Sequence, residues 1–271
     1  MPQIHSSSII TGDVRLAGDV IVGPNCVLDG SLGPVIVGPG CRMFAAVYLH
    51  GPLTLGARNI MYPSVALGFA PQDLKWDANV AGAGLVIGSG NIFREGVTIH
   101  RATSHERPTT IGDSNYWMAD SHAGHDSRVG SHNILANGTM LGGHVTMADR
   151  VITGGGVGIH QFCRVGRNCM LSGNAGMTLD LPPFFMLTGI NVAGSINLIG
   201  MRRNGMSRGD IDTVKWVYKT LVRSRLPPKS ALSVLRERGN DPLVREYIEF
   251  VESSKRGICL ARGRPAYDSD E

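Results

Sequence analysis

Mostly apolar residues open one six-residue unit after another from Ile111 to Pro182, with no gap. The openers are Ile111, Trp117, Ala123, Val129, Leu135, Leu141, Met147, Thr153, Ile159, Val165, Leu171 and Met177, twelve units in all. The second position is often glycine (Gly112, Gly124, Gly130, Gly142, Gly154, Gly166), and the fifth is small or thin, as at Ser121, Ser127, Thr139, Val145, Val151, Cys163, Cys169 and Ala175. A unit this short cannot bury an apolar face alone and must stack on copies of itself, so the period predicts a parallel β-helix.

The same register recurs upstream at Val22-Gly23, Val37-Gly38, Leu49, Leu55-Gly56, Met61 and Leu67-Gly68, and returns at Ile87-Gly88, Phe93 and Ile99. Two insertions interrupt it, near 69–86 and 102–110. Loops thrown out of a solenoid tend to lie on a binding face, because the repeat itself does not need them. Past Pro182-Pro183 the pattern turns helical. Ser207 with Asp210 forms a capping pair ahead of Ile211, Val214, Tyr218 and Leu221, and Asp241-Pro242 reads as an N-cap and first residue ahead of Val244, Tyr247, Ile248 and Val251. The expected division is a mainly β solenoid over residues 1–188 and a helical domain over 189–271.

Composition fits that architecture: 36 glycines in 271 residues, 6% aromatic and 18% charged residues suit tight corners around a thin aliphatic core. The chain has no apolar stretch long enough to span a membrane and no basic-then-apolar leader, which leads to the expectation of a cytoplasmic protein. Five cysteines without a C-x-x-C pair read as small buried apolar residues. Between Met201 and Arg264 there are 15 Lys and Arg against 7 Asp and Glu, whereas the whole chain carries only +4. Such a surplus is either a solvated helical surface or a docking face for an acidic protein or phosphates. Nucleic acid is excluded as a partner, since no stacking aromatics interleave with the basic residues.

Chemistry concentrates in the histidines. His5, His50, His105 and His132 read as surface residues, while His100, His122, His125, His144 and His160 sit within the repeat. With three units per coil, residues 18 apart stack, which sets Gly143 directly above His125. An imidazole whose tautomer is fixed by Asp126 can act as a general base, and a glycine above it can offer an unobstructed backbone N–H to a developing oxyanion. No nucleophilic Ser or Cys accompanies the pair, so the arrangement suits direct attack by a substrate hydroxyl or amine.

Several strings together resemble the bacterial acyl-carrier-protein–UDP-N-acetylglucosamine O-acyltransferase family: Gln72-Asp73-Leu74-Lys75, Thr98-Ile99-His100-Arg101, His122-Ala123-Gly124-His125-Asp126, Ile134-Leu135-Ala136-Asn137, Gly143-His144-Val145, His160-Gln161-Phe162 and Arg202-Arg203. The resemblance implies a left-handed β-helix, against the usual right-handed preference of parallel crossovers, assembled as a homotrimer with active sites between subunits. It implies transfer of a 3-hydroxyacyl chain from acyl carrier protein to the glucosamine 3-position of a UDP-sugar, the first step of lipid A synthesis, with no metal and no cofactor. It makes His125 the base, Asp126 its orienting partner and Gly143 the oxyanion donor. His100, His122, His144, His160, Gln161 and Asn197 would then contact substrate, Asp73 and Lys75 would line the sugar and acyl region, Gly173 would limit acyl length, and Arg203 would bind nucleotide phosphate. The acidic carrier protein would give the basic tail its partner.

Two departures from the family pattern stand out: Ile199 occupies a usually acidic position, and the stretch Gly189 to Gly194 is one residue short. Both bear on the nucleotide pocket and keep open a 3-amino or other sugar nucleotide as acceptor. A zinc carbonic anhydrase of hexapeptide-repeat type, with ligands among His122, His125 and His144, and a non-catalytic scaffold are the remaining alternatives.

Overall fold

The computed structural model describes residues 1–224 and 226–261. Arg225, Arg262 and Arg264 of the basic tail therefore lie outside the described residues. The hexad pattern becomes a three-sided parallel β-helix, each face built of short stacked strands. On the first face Val22, Met43, Met61, Phe93, Trp117, Leu135, Thr153, Leu171 and Leu187 stack inward. The second face stacks Val37, Leu55, Ile87, Ile111, Val129, Met147 and Val165. The third stacks Leu28, Leu49, Leu67, Ile99, Ala123, Leu141, Ile159 and Met177. Every one of these side chains is buried, so the core is a continuous column in which no coil is independent of its neighbours.

The stacking interval is 18 residues from Trp117 to Leu171 and 16 from there to Leu187, but stretches to 24 between Phe93 and Trp117 and to 32 between Met61 and Phe93. The two insertions account for both longer intervals. The first occupies 70–84 and the second 101–108, because Phe69 still closes one strand and Leu85 and Thr109 already open the next. The second-position glycines are explained by close coil-to-coil approach: a Cβ on Gly124 or Gly142 would lie 2.7 Å from the backbone nitrogen of Gly143 or Gln161.

One corner of the column is polar inside. Asn59 Oδ1 accepts from the backbone N–H and side-chain amide of Asn91 at 2.9 and 3.0 Å, Asn91 does the same for Asn115, Asn115 Oδ1 accepts from Asn133 N–H at 2.9 Å, and Asn133 Oδ1 accepts from Val151 N–H at 2.7 Å. Each buried amide thus ties its coil to the next, satisfying backbone donors that turn inward at the corner. The five cysteines are buried and unbridged, as their small-apolar reading requires.

After the last parallel strand, Phe185–Leu187, the chain reverses into an antiparallel strand, Ala193–Ile196, and then into helices α1 (Leu198–Arg203), α2 (Arg208–Tyr218), α3 (Pro228–Arg236) and α4 (Pro242–Glu252). Ser207 caps α2 by accepting from Asp210 N–H, and Asp241 caps α4 by accepting from Leu243 N–H. A π-helical segment, Lys219–Arg223, extends α2. The helices seat on the final coil through Phe185, which packs against Tyr218 and Tyr247, while the two tyrosine hydroxyls donate to Ala193 O and Pro183 O at 3.0 and 2.9 Å. Bridges from Ile258 to Asp180 and from Leu260 to Val192 return the chain to the solenoid. No described helix is long and apolar enough to cross a membrane.

Candidate active site

At the corner between the third and second faces, Asp126, His144 and Phe162 stack 18 residues apart, each in the left-handed region at φ of 61°, 60° and 66°. Non-glycine residues reach that region only at a cost of about 1–2 kcal/mol each. Inter-coil bonds offset it here: His144 N–H donates to His125 O at 2.9 Å and Phe162 N–H to Gly143 O at 3.0 Å. The turn brings His125 Nδ1 to 2.7 Å from Asp126 Oδ2. Gly143 lies against the other edge of that ring, where a Cβ would stand 2.9 Å from both Cε1 and Nε2 of His125. Among the described residues the Gly143 N–H has no acceptor and His125 Nε2 no hydrogen-bond partner.

Asp126 is held by more than His125. The Thr103 N–H and hydroxyl donate to Oδ2 at 3.0 and 2.7 Å, Ser104 N–H donates to Oδ1 at 3.1 Å, and Asp126 N–H donates to Thr109 Oγ1 at 2.8 Å. Burial pushes this carboxyl upward, but the bonds from His125, Thr103 and Ser104 outweigh it and hold it well below the usual range, so it is an anion at any physiological pH. Thr103 and Ser104, the two partners in the second insertion, escaped sequence reasoning, because an insertion has no periodicity from which a contact can be projected.

The neighbouring imidazoles are kept neutral. Burial, reinforced by His100, lowers His122 to about 4. His100 is lowered by burial against the opposing pull of its bond from Nδ1 to Ala70 O, and His144 by burial and His125 against the attraction of Asp126. Thr98 Oγ1 fixes His122 Nδ1 at 2.8 Å, His100 meets His122 edge-on at 5.3 Å, and His144 stacks on Phe162 at 4.4 Å. Phe162 was invisible as a site residue until the 18-residue stack was followed one coil further.

His122, His125, Gly143, His160 and Gln161 share one cleft of about 540 Å³ with Gln72, Met140, Gly158, Gly176 and Ile190. Along its floor the outward row of the third face runs His122, Met140, Gly158, Gly176, so the two glycines open a trough beside the base. Other expected residues lie elsewhere. Asp73 and Lys75 form a turn at the tip of the first insertion, with Lys75 N–H donating to Asp73 Oδ1 at 2.9 Å. Gly173 stands at the corner between the first and third faces, outside that cleft. Asn197 is the buried N-cap of α1, its amide donating to Asn168 O and its carbonyl accepting from Gly200 N–H, and Arg203 closes the same helix, on which Ile199 is exposed.

His125, Asp126 and His144 are also the one set among the described residues whose ligand atoms converge within 4.8 Å, as a metal would require. The Asp126 oxygens, however, already accept from Thr103, Ser104 and His125, a donor set organised around an imidazole rather than a cation.

Sequence and structure comparisons place the chain as a whole. The family described as UDP N-acetylglucosamine O-acyltransferase, domain 2, matches residues 180–259. An acyl-carrier-protein–UDP-N-acetylglucosamine O-acyltransferase of Thermodesulfovibrio yellowstonii is 37% identical over 262 residues, covering 96% of this chain and 100% of that protein. This chain belongs to that acyltransferase family. Its counterpart from Stutzerimonas stutzeri is 38% identical over 95% of this chain and 99% of its own length. The UDP-N-acetylglucosamine acyltransferase structure from Francisella novicida superposes with a TM-score of 0.90 at 31% identity, covering 96% of this chain and 95% of that one, and the structure from Acinetobacter baumannii with 0.87 at 35%, covering 94% and 98%. As in those acyltransferases, a hexad solenoid carries a helical C-terminal domain.

Proposed function

We infer that the protein transfers a 3-hydroxyacyl chain from acyl carrier protein to the glucosamine 3-hydroxyl of UDP-N-acetylglucosamine, the first step of lipid A synthesis, and that it does so with His125 as general base. The observation that carries the assignment of roles is the His125–Asp126 bond of 2.7 Å with the unpaired Gly143 N–H at the opposite ring edge. Asp126 accepts from Nδ1 and leaves Nε2 as the basic nitrogen facing the cleft. The sugar hydroxyl loses its proton to Nε2 as its oxygen bonds to the thioester carbonyl carbon, and the resulting oxyanion accepts from Gly143 N–H. Collapse breaks the C–S bond, and the departing pantetheine thiolate recovers the proton from the imidazolium. His122, held neutral, together with His144, His160 and Gln161, contacts substrate around that centre.

The chain works as a homotrimer in the cytoplasm. Supporting the assembly is the outward row of the first face, Ile92, Tyr116, Ile134, Ile152 and Met170, an apolar ladder suited to cover the exposed Met140 and Phe162 of a neighbouring copy. The helices Leu198–Arg203 and Pro228–Arg236, which carry Arg202, Arg203, Lys229 and Arg236 and no acidic residue, dock the acidic carrier protein. Mass spectrometry of a reaction with purified acyl carrier protein tests the function: an O-acylated UDP-N-acetylglucosamine and free carrier thiol are expected in equal amounts. Transfer confined to a 3-amino analogue, or no transfer, would overturn it.

A further inference from the structure

The second insertion interrupts the regular period of the solenoid, and among the described residues its hydrogen bonds to the catalytic corner go to Asp126. Thr103 supplies two of them, both to Oδ2, the oxygen that also accepts from His125 Nδ1. Ser104 N–H occupies Oδ1, and the same segment is anchored from behind: Ala83 N–H donates to Ser104 O at 2.7 Å, and Ala102 N–H to Gly84 O at 3.1 Å. Arg101, fully buried, ties the first insertion to this point by donating to Gly68 O, Ala78 O and Val80 O. Trp76 of the first insertion lies 5.8 Å from His105 of the second.

We propose that Thr103 is a positioning residue of the acyl transfer, its hydroxyl fixing both the orientation of the Asp126 carboxylate and the share of its charge that reaches His125. This inference rests on His125 being the base. The charged and titratable groups facing the pair are few: His144 Nε2 stands 3.7 Å from Asp126 Oδ2, and its ring meets His125 edge-on at 5.1 Å, while His100 interacts electrostatically with His125 and with Arg101. Removing the Thr103 hydroxyl leaves Oδ2 with one fewer donor and therefore more negative charge toward His125 Nδ1. The imidazolium is then favoured, and the base is lost to protonation at a higher pH.

The test compares Thr103→Val and Thr103→Ser with wild type by steady-state kinetics across pH 5 to 9, with His125→Ala as a control. Thr103→Val should lower kcat about 10- to 100-fold, since small misplacements of a base cost that much, leave KM for UDP-N-acetylglucosamine within about twofold, and move the acid limb of kcat upward. Thr103→Ser, which keeps the donor, should restore both. An unshifted acid limb in Thr103→Val, or failure of Ser to rescue, would overturn the proposal while His125→Ala remains inactive. A His125→Ala enzyme with near-normal turnover would instead overturn the assignment of the base.

Discussion

A single methyl at Gly143 should disable this enzyme without unfolding it. In Gly143→Ala the new Cβ would stand 2.9 Å from Cε1 and Nε2 of His125 and 3.3 Å from Cδ2, closer than carbon contacts tolerate, so the ring must retreat by roughly 0.5–1 Å to reach an ordinary separation of about 3.5–4 Å. It cannot do so freely. Its far edge is pinned 2.7 Å from Asp126, which Thr103 and Ser104 hold in turn. The imidazole is therefore displaced from the attacking hydroxyl, or the Asp126 bond is stretched, and a misplacement near 1 Å costs about 10²-fold, close to 2.7 kcal/mol of barrier. Hindered access to the Gly143 N–H adds to the loss. Turnover measured with acyl carrier protein at saturating UDP-N-acetylglucosamine should fall about 10²- to 10³-fold, with the thermal midpoint changing by only a few degrees because the corner is partly open to the cleft. Turnover within threefold of wild type would refute the placement of Gly143 over a working base.

Two further predictions concern the column rather than the reaction. His122, lowered from 6.5 to about 4, stays neutral in the fold while an unfolded chain takes up a proton, so its contribution to stability is complete above pH 6.5 and is lost as pH falls toward 4. Thermal midpoints of His122→Gln should accordingly decline less steeply than wild type between pH 7 and 4.5, the remaining slope coming from His100 and His144; identical slopes would remove His122 as a source. Asn115→Ala leaves Gly130 O and Asn133 N–H without their partners inside a buried corner, and chemical denaturation should register a loss of about 2–4 kcal/mol. A loss under 0.5 kcal/mol would mean that the asparagine ladder is dispensable.

What could be read from the chain follows from which contacts its period encodes. An 18-residue coil sets Gly143 over His125 by arithmetic alone, and the same arithmetic continued would have reached Phe162 over His144. The asparagine ladder obeys the same stacking but is disguised, since Asn59 and Asn91 are 32 apart and Asn91 and Asn115 are 24 apart across the two insertions. A polar residue at an inward corner also looks like a surface residue until its vertical partner is known. Thr103 and Ser104 could not be found from spacing, because their approach to Asp126 depends on how an irregular loop folds back. The caps Ser207 and Asp241 were legible, being local, whereas Asn197 turned out to cap α1 with its side chain engaged inside the protein. The resemblance to the family supplied what local physics does not, notably the left-handed sense of the coil.

The central claim is that His125, oriented by Asp126, takes the proton from the acceptor hydroxyl, and His125→Ala tests it most directly. Single-turnover transfer from acyl carrier protein should slow about 10²- to 10⁴-fold, with UDP-N-acetylglucosamine binding and the thermal midpoint close to wild type, because only proton transfer is lost. A His125→Ala protein that transfers acyl chains at a near-normal rate would contradict the account.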